Sequence, residues 1–484
     1  MNRARQRVFW LLASALAAGC SWPTQFAQTA AEPAAAVVDS GASPSPADAG
    51  CPADLAARLQ VTHVDVDRDI RYKVPRYDGY PFDDRIALSI ARDGHAYVAW
   101  TALAGGVQIT PLDTQLVRSE PDISVDGSDI GGLIAHDQGF ALLTRRDDPG
   151  ETDADPTPPA EDPVTAAFLL RYAGRSQVFA AQLTGAASIT ADTEPRARDC
   201  ATGSIQIARL AWNGVRYGMY FPAHACGAVP RMPAYVDKLV YADDRGRHVA
   251  GGWDSNCDLS LGVRLLPEPG AFTSVCLSDR LPFPGVNLVT EGVPARQLSA
   301  EYTAPSFAAA SLGSLVKVPA DGSYVLSWLS RGISTADGRV AAATPAYDIA
   351  LLRLGPDYQL LVPKKWLQET PDVAELNLHM AAYGPDRLLL TWERIEAPRC
   401  TDRTCWGPYS GTRAQIIDLN GNPLSPETAI DAPPNVLEDI AVFPNGDLGW
   451  AFVADDQRNY EEPIDSRDVP GKHQLSIARL RVCE

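Results

Sequence analysis

Residues 376–392 read LNLHMAAYGPDRLLLTW, and they contain the unit from which the fold can be predicted. Two apolar, β-like runs flank a tight turn at Pro385-Asp386, and Trp392 stands six residues beyond that turn. A short polar turn between two such runs is typical of a β-hairpin. The stretch therefore predicts two antiparallel strands, named strand a and strand b, with an aromatic residue on strand b.

The same arrangement occurs seven times along the chain. The turns are Asp93-Gly94, Gln138-Gly139, Asn213-Gly214, Pro269-Gly270, Asp321-Gly322, Pro385-Asp386 and Asn445-Gly446. Six residues beyond each turn stand Trp100, Arg145, Tyr220, Cys276, Trp328, Trp392 and Phe452. Because aromatic residues occupy all of these positions except Arg145 and Cys276, the recurrence indicates a repeated structural unit. The tryptophans of the b strands, including Trp450, are expected to pack between neighbouring units.

A third strand, c, follows in several repeats, for example at Asp348–Leu354, 412–419 and Gln474–Leu480. Apolar and polar residues alternate along it, which predicts that one of its faces is wetter. A weaker fourth strand, d, comes next. Four antiparallel strands recurring every roughly 45 to 75 residues predict an all-β fold, a seven-bladed β-propeller, with six or eight blades as alternatives.

A propeller must close its ring, because an unpaired sheet edge invites aggregation. The last repeat ends on its c strand, so we expect the run at 59–66 to supply the missing outer strand within a propeller domain of residues 58–484. Cys51 and Cys483 would then lie close enough for a disulfide. The remaining pairs, assigned by proximity alone, are Cys257 with Cys276, Cys400 with Cys405, and Cys200 with Cys226.

Residues 388–392 (LLLTW) and 412–425 (TRAQIIDLNGNPLS) resemble the repeats of extracellular bacterial β-propellers. Those repeats pair a Val-x-Trp strand with a strand of the form Ala-Gln, two apolar residues, Asp-x-x-Gly. The resemblance extends over most of the mature chain and implies an architecture without implying a chemistry. The signatures of WD-type, kelch and sialidase repeats are not found.

The first 19 residues are predicted to be a lipoprotein signal peptide. Arg3, Arg5 and Arg7 precede a short apolar run, which is too short to span a bilayer. The run ends in LAAGC at residues 16–20, which resembles the bacterial lipobox and predicts lipidation of Cys20. An ordinary signal peptide that leaves Cys20 as a free thiol is the alternative. Setting Cys20 aside leaves eight of the nine cysteines, an even number that suits pairing in an exported protein.

Residues 20–57 are rich in Ala, Pro and Ser and predict a disordered tether. In enterobacterial lipoproteins, which this segment resembles, a residue other than Asp after the lipidated cysteine favours location at the outer membrane. Ser21 occupies that position here. The formal net charge of −18 disfavours nucleic-acid binding, because phosphate backbones are also anionic. The predicted membrane contact is the lipid anchor alone.

In a propeller blade the b–c and d–a connections share one face, and the a–b and c–d turns share the other. Four predicted b–c connections are long, at 146–163, 331–347, 395–411 and 455–472, and the d–a connection at 284–311 lies on the same side. Long loops on a rigid scaffold often carry binding residues. This surface, named the long-loop face, is the predicted partner-binding surface.

Trp253 and Trp406 are the ligand-binding candidates, since both are predicted to lie in connections and could stack on a sugar ring or a partner side chain. Burial as loop anchors is the alternative for both. The acidic loop at 146–163 could ligate Ca²⁺, but its prolines favour a solvated loop, so no metal or cofactor is predicted.

No catalytic motif is present, and the seven histidines show no metal-ligand spacing. Two hypotheses follow. The first is a non-catalytic lipoprotein that binds a protein or a glycan. The second is a propeller hydrolase that acts on polysaccharide through acidic residues at the channel mouth.

Overall fold

The computed structural model describes most of the chain beyond residue 53, and all described residues belong to one compact unit, Ala49–Glu484. The described ranges are 54–72, 84–147, 165–185, 187–190, 199–201, 205–225, 235–254, 257, 260–278, 284–301, 310–334, 340–342, 346–367, 372–400, 405–454 and 471–483. Apart from the short 3-10 helix η1 (Ala56–Arg58), the regular elements in these ranges are strands. None of the described helical residues forms a helix that could cross a membrane.

The strands form seven four-stranded antiparallel blades, with one extra strand and two small hairpins. Strand β1 (Leu59–Asp65) comes first. Blade 1 is β2 (Ala87–Ile90), β3 (Ala96–Thr101), β4 (Val107–Leu112) and β5 (Ile123–Val125). Blade 2 is β6 (Ile130–His136), β7 (Gly139–Asp147), β8 (Thr165–Ala173) and β9 (Ser176–Gln182). Blade 3 adds β10 (Asp199–Ala201) to β11 (Arg209–Trp212), β12 (Arg216–Ala225), β13 (Tyr235–Asp243) and β14 (His248–Asp254).

Blade 4 is β15 (Ser260–Glu268), β16 (Ala271–Ser278), β17 (Gly285–Leu288) and β18 (Arg296–Ala300). Blade 5 begins with β19 (Ala310–Lys317) and β20 (Tyr324–Ser330). The hairpin of β21 (Gly332–Ser334) and β22 (Val340–Ala342) follows, and β23 (Asp348–Leu354) and β24 (Leu360–Trp366) complete the blade. Blade 6 begins with β25 (Val373–Tyr383) and β26 (Arg387–Glu396). The hairpin of β27 (Arg399–Cys400) and β28 (Cys405–Trp406) follows, and β29 (Tyr409–Asp418) and β30 (Thr428–Ile430) complete the blade. Blade 7 is β31 (Ala441–Val442), β32 (Leu448–Phe452) and β33 (Gln474–Leu480), completed by β1.

Each of the seven predicted turns joins the a and b strands of one blade, which confirms the predicted repeat. The backbone explains why glycine recurs there. Gly94 has a φ of +88° and Gly446 a φ of +87°, values that residues with a Cβ adopt only with strain. The tight turn therefore requires glycine locally, whatever the rest of the blade does.

The N-terminal strand closes the ring, as predicted. Strand β1 pairs antiparallel with β33 from Leu59 opposite Leu480 to Asp65 opposite Gln474. Within blade 7, β1 takes the outer position that the C-terminal part of the chain leaves open. The first and last described strands are thus held in one sheet by backbone hydrogen bonds.

The hydrophobic core lies between the blades, and the predicted tryptophans Trp100, Trp328, Trp392 and Trp450 are buried in it. The prediction of a wetter face on strand c is wrong for β23 and β33. In β23 every side chain except Arg353 is buried, and in β33 the polar Ser476 is fully buried and bonds to His63. Neighbouring blades cover both sides of β23 and β33, and wetter positions lie on outer strands such as β9 and β24. In β29 buried and partly exposed residues alternate, as predicted.

Candidate functional site

Two of the predicted disulfides are present. Cys257 bonds to Cys276 on β16, with 6.5 Å between the Cα atoms. Cys400 bonds to Cys405 and joins the two strands of the β27–β28 hairpin. Cys483 is also disulfide-bonded, and its predicted partner Cys51 lies outside the described residues.

The other cysteine predictions stay predictions. Cys200 lies in β10, where its backbone pairs with His224 of β12, while its predicted partner Cys226 lies outside the described residues. Cys20, the predicted lipidation site, also lies outside them.

The two faces of the propeller differ in their connections. Only two residues separate β15 from β16, whereas 21 residues separate β32 from β33. The hairpins β21–β22 and β27–β28 are both built from b–c connections and therefore belong to the long-loop face. Much of the four long connections, including residues 148–164 of the acidic loop, lies outside the described residues. Where the chain is described, no group of His, Cys, Asp or Glu side chains is arranged to hold a metal ion.

The two candidate tryptophans occupy different environments. Trp406 is half-buried on β28, next to the buried, disulfide-bonded Cys405. Trp253 was predicted to lie in a connection. It lies instead in β14, the outer strand of blade 3. Its ring packs edge-on against Tyr220 at 4.8 Å and joins the core of blades 3 and 4. Of the two, Trp406 has the position that suits contact with a partner.

The large apolar side chains that are exposed lie on the opposite face. Within the described ranges, all of them are in or beside an a–b or c–d turn: Val117, Val178, Val215, Leu360, Leu361, Leu424 and Val442. They are distributed over six blades, so they do not form one continuous patch. This surface is named the short-turn face.

A group of charged side chains from four blades lies where the innermost strands begin. This axial cluster comprises Arg85, Arg209, Arg264, Glu438 and Asp439. Arg85 lies two residues before β2, and Arg209 opens β11. Arg264 lies in β15, and the two acidic residues end the connection into β31. Each innermost strand starts near the propeller axis, which brings these distant positions together.

Each carboxylate of the axial cluster is paired with arginine. Arg85 Nε lies 3.3 Å from Glu438 Oε2. Asp439 is held from two sides, with Arg264 Nε at 3.0 Å from Oδ1 and Arg209 Nε at 3.4 Å from Oδ2. These contacts are close ion pairs. The carboxylates are therefore fixed mainly by charge.

The remaining guanidinium hydrogens bind the backbone. Arg85 donates to Leu437 O at 2.6 Å and to Ala208 O at 3.0 Å, so it ties the connection into β31 to the start of β11. Arg264 donates to Val263 O at 2.8 Å. Arg85 is 1 % exposed and Arg264 5 % exposed. Cations this deeply buried are stable only when paired and hydrogen-bonded, as these are.

The cluster carries net positive charge at neutral pH. Burial lowers the pKa of Arg85 to about 9 and that of Arg264 to about 10, so both stay protonated. Burial opposes ionisation of Asp439, but the attraction of Arg264 and Arg209 prevails and lowers its pKa. Burial raises the pKa of Glu438 more than Arg85 lowers it. Three guanidinium groups thus face at most two carboxylates.

A neutral histidine network lies nearby on β25. His379 Nε2 is 2.7 Å from Asn377 Oδ1, and the Asn377 amide donates to Glu393 Oε1 at 2.7 Å and to Pro434 O at 2.8 Å. Burial lowers the pKa of His379 to about 3. The network is fully enclosed and links blade 6 to the connection that carries the axial cluster.

Sequence reasoning did not find the axial cluster. Its members are separated by up to 354 positions, and none of them belongs to the repeated turn-and-aromatic pattern. One usable signal was present. Each arginine lies shortly before a repeated a–b turn, where an apolar core residue would otherwise be expected.

Comparison with known proteins gives similarity of fold only. No protein-family model matches the chain, and no curated protein matches it. A protein of unknown function from Dyadobacter fermentans is 12% identical, with a TM-score of 0.38, covering 88% of this chain and 100% of that one. The WD40 domain of Neurospora crassa Pan2 is 9% identical, with a TM-score of 0.43, covering 89% and 98%. The Dos1 propeller is 10% identical, with a TM-score of 0.40, covering 88% and 96%. The strand pairing described above makes the chain a seven-bladed β-propeller.

Proposed function

We propose that this chain is a non-catalytic binding protein of the bacterial cell envelope, anchored by a lipid on Cys20 and placed at the outer membrane. It binds a protein or a glycan through the long-loop face. Propellers present loops on a rigid ring, which suits binding. The absence of a recognised catalytic motif in the sequence agrees with this role.

One observation carries the proposal: the long connections are concentrated on one face, where one of them folds into a hairpin braced by the Cys400–Cys405 disulfide. A braced loop loses less conformational entropy on binding than a free one. Trp406 lies on this hairpin and is only half-buried. Tryptophan is enriched at binding hot spots because it offers a large apolar surface and one hydrogen-bond donor.

The test combines a glycan array with a pull-down from a cell-envelope extract, using the purified chain and two matched variants. Trp406→Ala should reduce capture of whatever the wild type retains. Trp253→Ala, in the outer strand of blade 3, should leave capture unchanged once folding has been verified by circular dichroism. Capture that is equal for Trp406→Ala and wild type would contradict the assignment of this face.

The second candidate function, polysaccharide hydrolysis, has one observation in its favour. The pKa values of Glu438 and Asp439 move in opposite directions, as in acid–base pairs of hydrolases. Both carboxylates are nevertheless held by arginines, and Glu438 has only 20 % of its side chain exposed. Release of reducing ends from a polysaccharide by wild type, and its loss in Glu438→Gln, would establish hydrolysis and displace the binding proposal.

A further inference from the structure

The propeller encloses a cavity of about 620 Å³ on the side of the axial cluster that faces the a–b turns. Its wall is built from the innermost strands of five blades, β2, β6, β11, β15 and β31. Strand a runs from the d–a connection toward the a–b turn, so residues near the turns form the mouth on the short-turn face. Binding sites for small molecules typically have volumes of about 300 to 1,000 Å³.

The wall of this cavity is apolar in part. It includes Leu88, Leu133, Leu210 and Leu265 of the innermost strands and Ile440 directly before β31, each between 5% and 8% exposed. That residual exposure is to the cavity. Water held against such a wall is readily displaced by an apolar group, which favours a ligand with a hydrocarbon body.

The mouth carries aromatic rings on the side of blades 2 and 3, with the charged residues Arg92 and Asp137 beside them at the turns of blades 1 and 2. Trp212 and His136 both line it, with their rings 5.7 Å apart in an edge-to-face arrangement. Tyr217 supports both rings. Its hydroxyl lies 2.8 Å from His136 Nε2, and its ring centroid lies 4.4 Å from that of Trp212. Burial lowers the pKa of His136 to about 4, so the imidazole is neutral at neutral pH.

The floor is polar and belongs to the axial cluster. The side chain of Asp439 is 41 % exposed although protein surrounds it, because the surface that it meets is the cavity. Arg209 also lines the cavity, and its side chain is only 7 % exposed. The floor therefore offers a hydrogen-bond acceptor and a hydrogen-bond donor next to each other.

The charges of the floor exclude two classes of ligand. An anionic head group would meet the ionised carboxylate of Asp439 directly. A cationic head group at the floor would meet the guanidinium of Arg209, while Arg85 and Arg264 already pair with Glu438 and Asp439. An uncharged group that both donates and accepts hydrogen bonds, such as a carboxamide or a hydroxyl, satisfies Asp439 and Arg209 together.

We propose that this cavity binds a small, uncharged, amphipathic molecule whose apolar body fills the channel beside Trp212 and whose amide or hydroxyl end bonds to Asp439 and Arg209. The site lies on the face opposite to the long-loop face. It is independent of the protein or glycan partner proposed above, and either proposal can fail alone.

The test uses three probes that share one hydrocarbon body: octanamide, octanoate and octylammonium. Binding to the full chain is measured by saturation-transfer NMR on the probes and by quenching of tryptophan fluorescence. Octanamide should bind at least about tenfold more tightly than the two charged probes, because each of those leaves a buried polar group of the floor unsatisfied. No binding of octanamide, or equal binding of all three probes, would overturn the proposal.

Three variants and one control locate the binding. Asp439→Asn should weaken octanamide binding about tenfold, through loss of the charged acceptor. That change lies among buried arginines and can impair folding. Two further variants, Trp212→Ala and Ala135→Phe, therefore test the site at half-buried positions that line the cavity. Trp212→Ala removes the aromatic mouth, and Ala135→Phe obstructs the channel.

The control is Val215→Ala. Val215 lies in the a–b turn of the same blade as Trp212, is 72% exposed and does not line the cavity. It should bind octanamide as the wild type does. Octanamide binding that survives both Trp212→Ala and Ala135→Phe would place the probe elsewhere and refute the site.

Discussion

Replacing Glu301 by glutamine tests whether a buried charge holds blades 4 and 5 together. Glu301 follows β18 and is fully buried. Its carboxylate accepts hydrogen bonds from Trp328 Nε1 at 2.8 Å, Ser299 Oγ at 2.7 Å and Lys364 Nζ at 2.6 Å, and from Ser330 Oγ. Four donors thus converge on one anion, and one of them is the repeated aromatic residue of blade 5.

The magnitude follows from what Glu301→Gln leaves behind. Lys364 loses its counter-ion while its side chain is only 15 % exposed, lying over the rings of Trp328 and Trp366. Breaking a buried ion pair from one side costs about 3 to 5 kcal/mol. The lysine can recover part of its hydration by turning its ammonium group toward solvent. We therefore expect a loss of about 3 kcal/mol in the free energy of unfolding.

The assay is urea denaturation followed by tryptophan fluorescence and circular dichroism. The matched control is Asp386→Asn, which removes a carboxylate from an exposed ion pair. The side chain of Asp386 is 66 % exposed, and its Oδ1 lies 3.7 Å from Arg387 Nε. A surface pair of this kind contributes about 0 to 1 kcal/mol. Combining Glu301→Gln with Lys364→Met should recover part of the loss, since the largely buried cation is then removed. A change below about 1 kcal/mol for Glu301→Gln would refute the reasoning, because the buried pair would then contribute no more than a surface pair.

Three further outcomes are expected. Replacing both Cys257 and Cys276 by alanine, which opens a loop with a sequence separation of 19, should cost about 3 kcal/mol in the same assay; an unchanged urea midpoint would contradict this. Lowering the pH from 7 to 4 should lower the melting temperature, because burial holds the pKa of His136 at about 4 and that of His379 at about 3, while unfolded histidine takes up a proton near pH 6.5. His379→Gln should lose less stability than wild type over that interval, and an equal loss would show that His379 does not contribute. Cys20→Ser should abolish incorporation of labelled palmitate and release the protein from the membrane fraction; label that persists would exclude the predicted anchor.

The sequence was sufficient to predict the blade count and the closure of the ring, because both depend on local features. A turn such as Asn445-Gly446 needs positive φ at glycine, and that need is visible in two residues. The outer strand β1 was predictable from the strand character of residues 59–66 and from the last repeat, whose c strand leaves an outer position open. Strand bounds also agreed where polar residues mark them, as in β23 and β33.

The environments of particular side chains were less predictable, because stacking of blades decides them. Trp253 was expected in a connection, but the outer strand β14 extends as far as Asp254 and draws its ring against Tyr220. Alternation along strand c was interpreted as one wet face. In β23 and β33 both faces are covered, and a polar member such as Ser476 is buried with a hydrogen-bond partner, whereas β29 keeps the predicted alternation.

The aromatic positions show why the repeat predicts the fold without predicting a site. The aromatic rings all lie between blades, although Tyr220 packs against the following blade while Trp100 and Trp328 pack against the preceding one. The polar atom of each ring finds a different partner. Trp100 donates to Thr110 Oγ1, Tyr220 to Asp237 Oδ2, and Trp450 to Ala432 O. The repeat therefore requires an aromatic ring between the blades, whereas the hydrogen-bond partner of that ring differs from blade to blade. A ligand-binding site in this propeller is therefore expected where a blade departs from the shared pattern. Arg209 and Trp212 are two such departures on an innermost strand, and both line the same cavity.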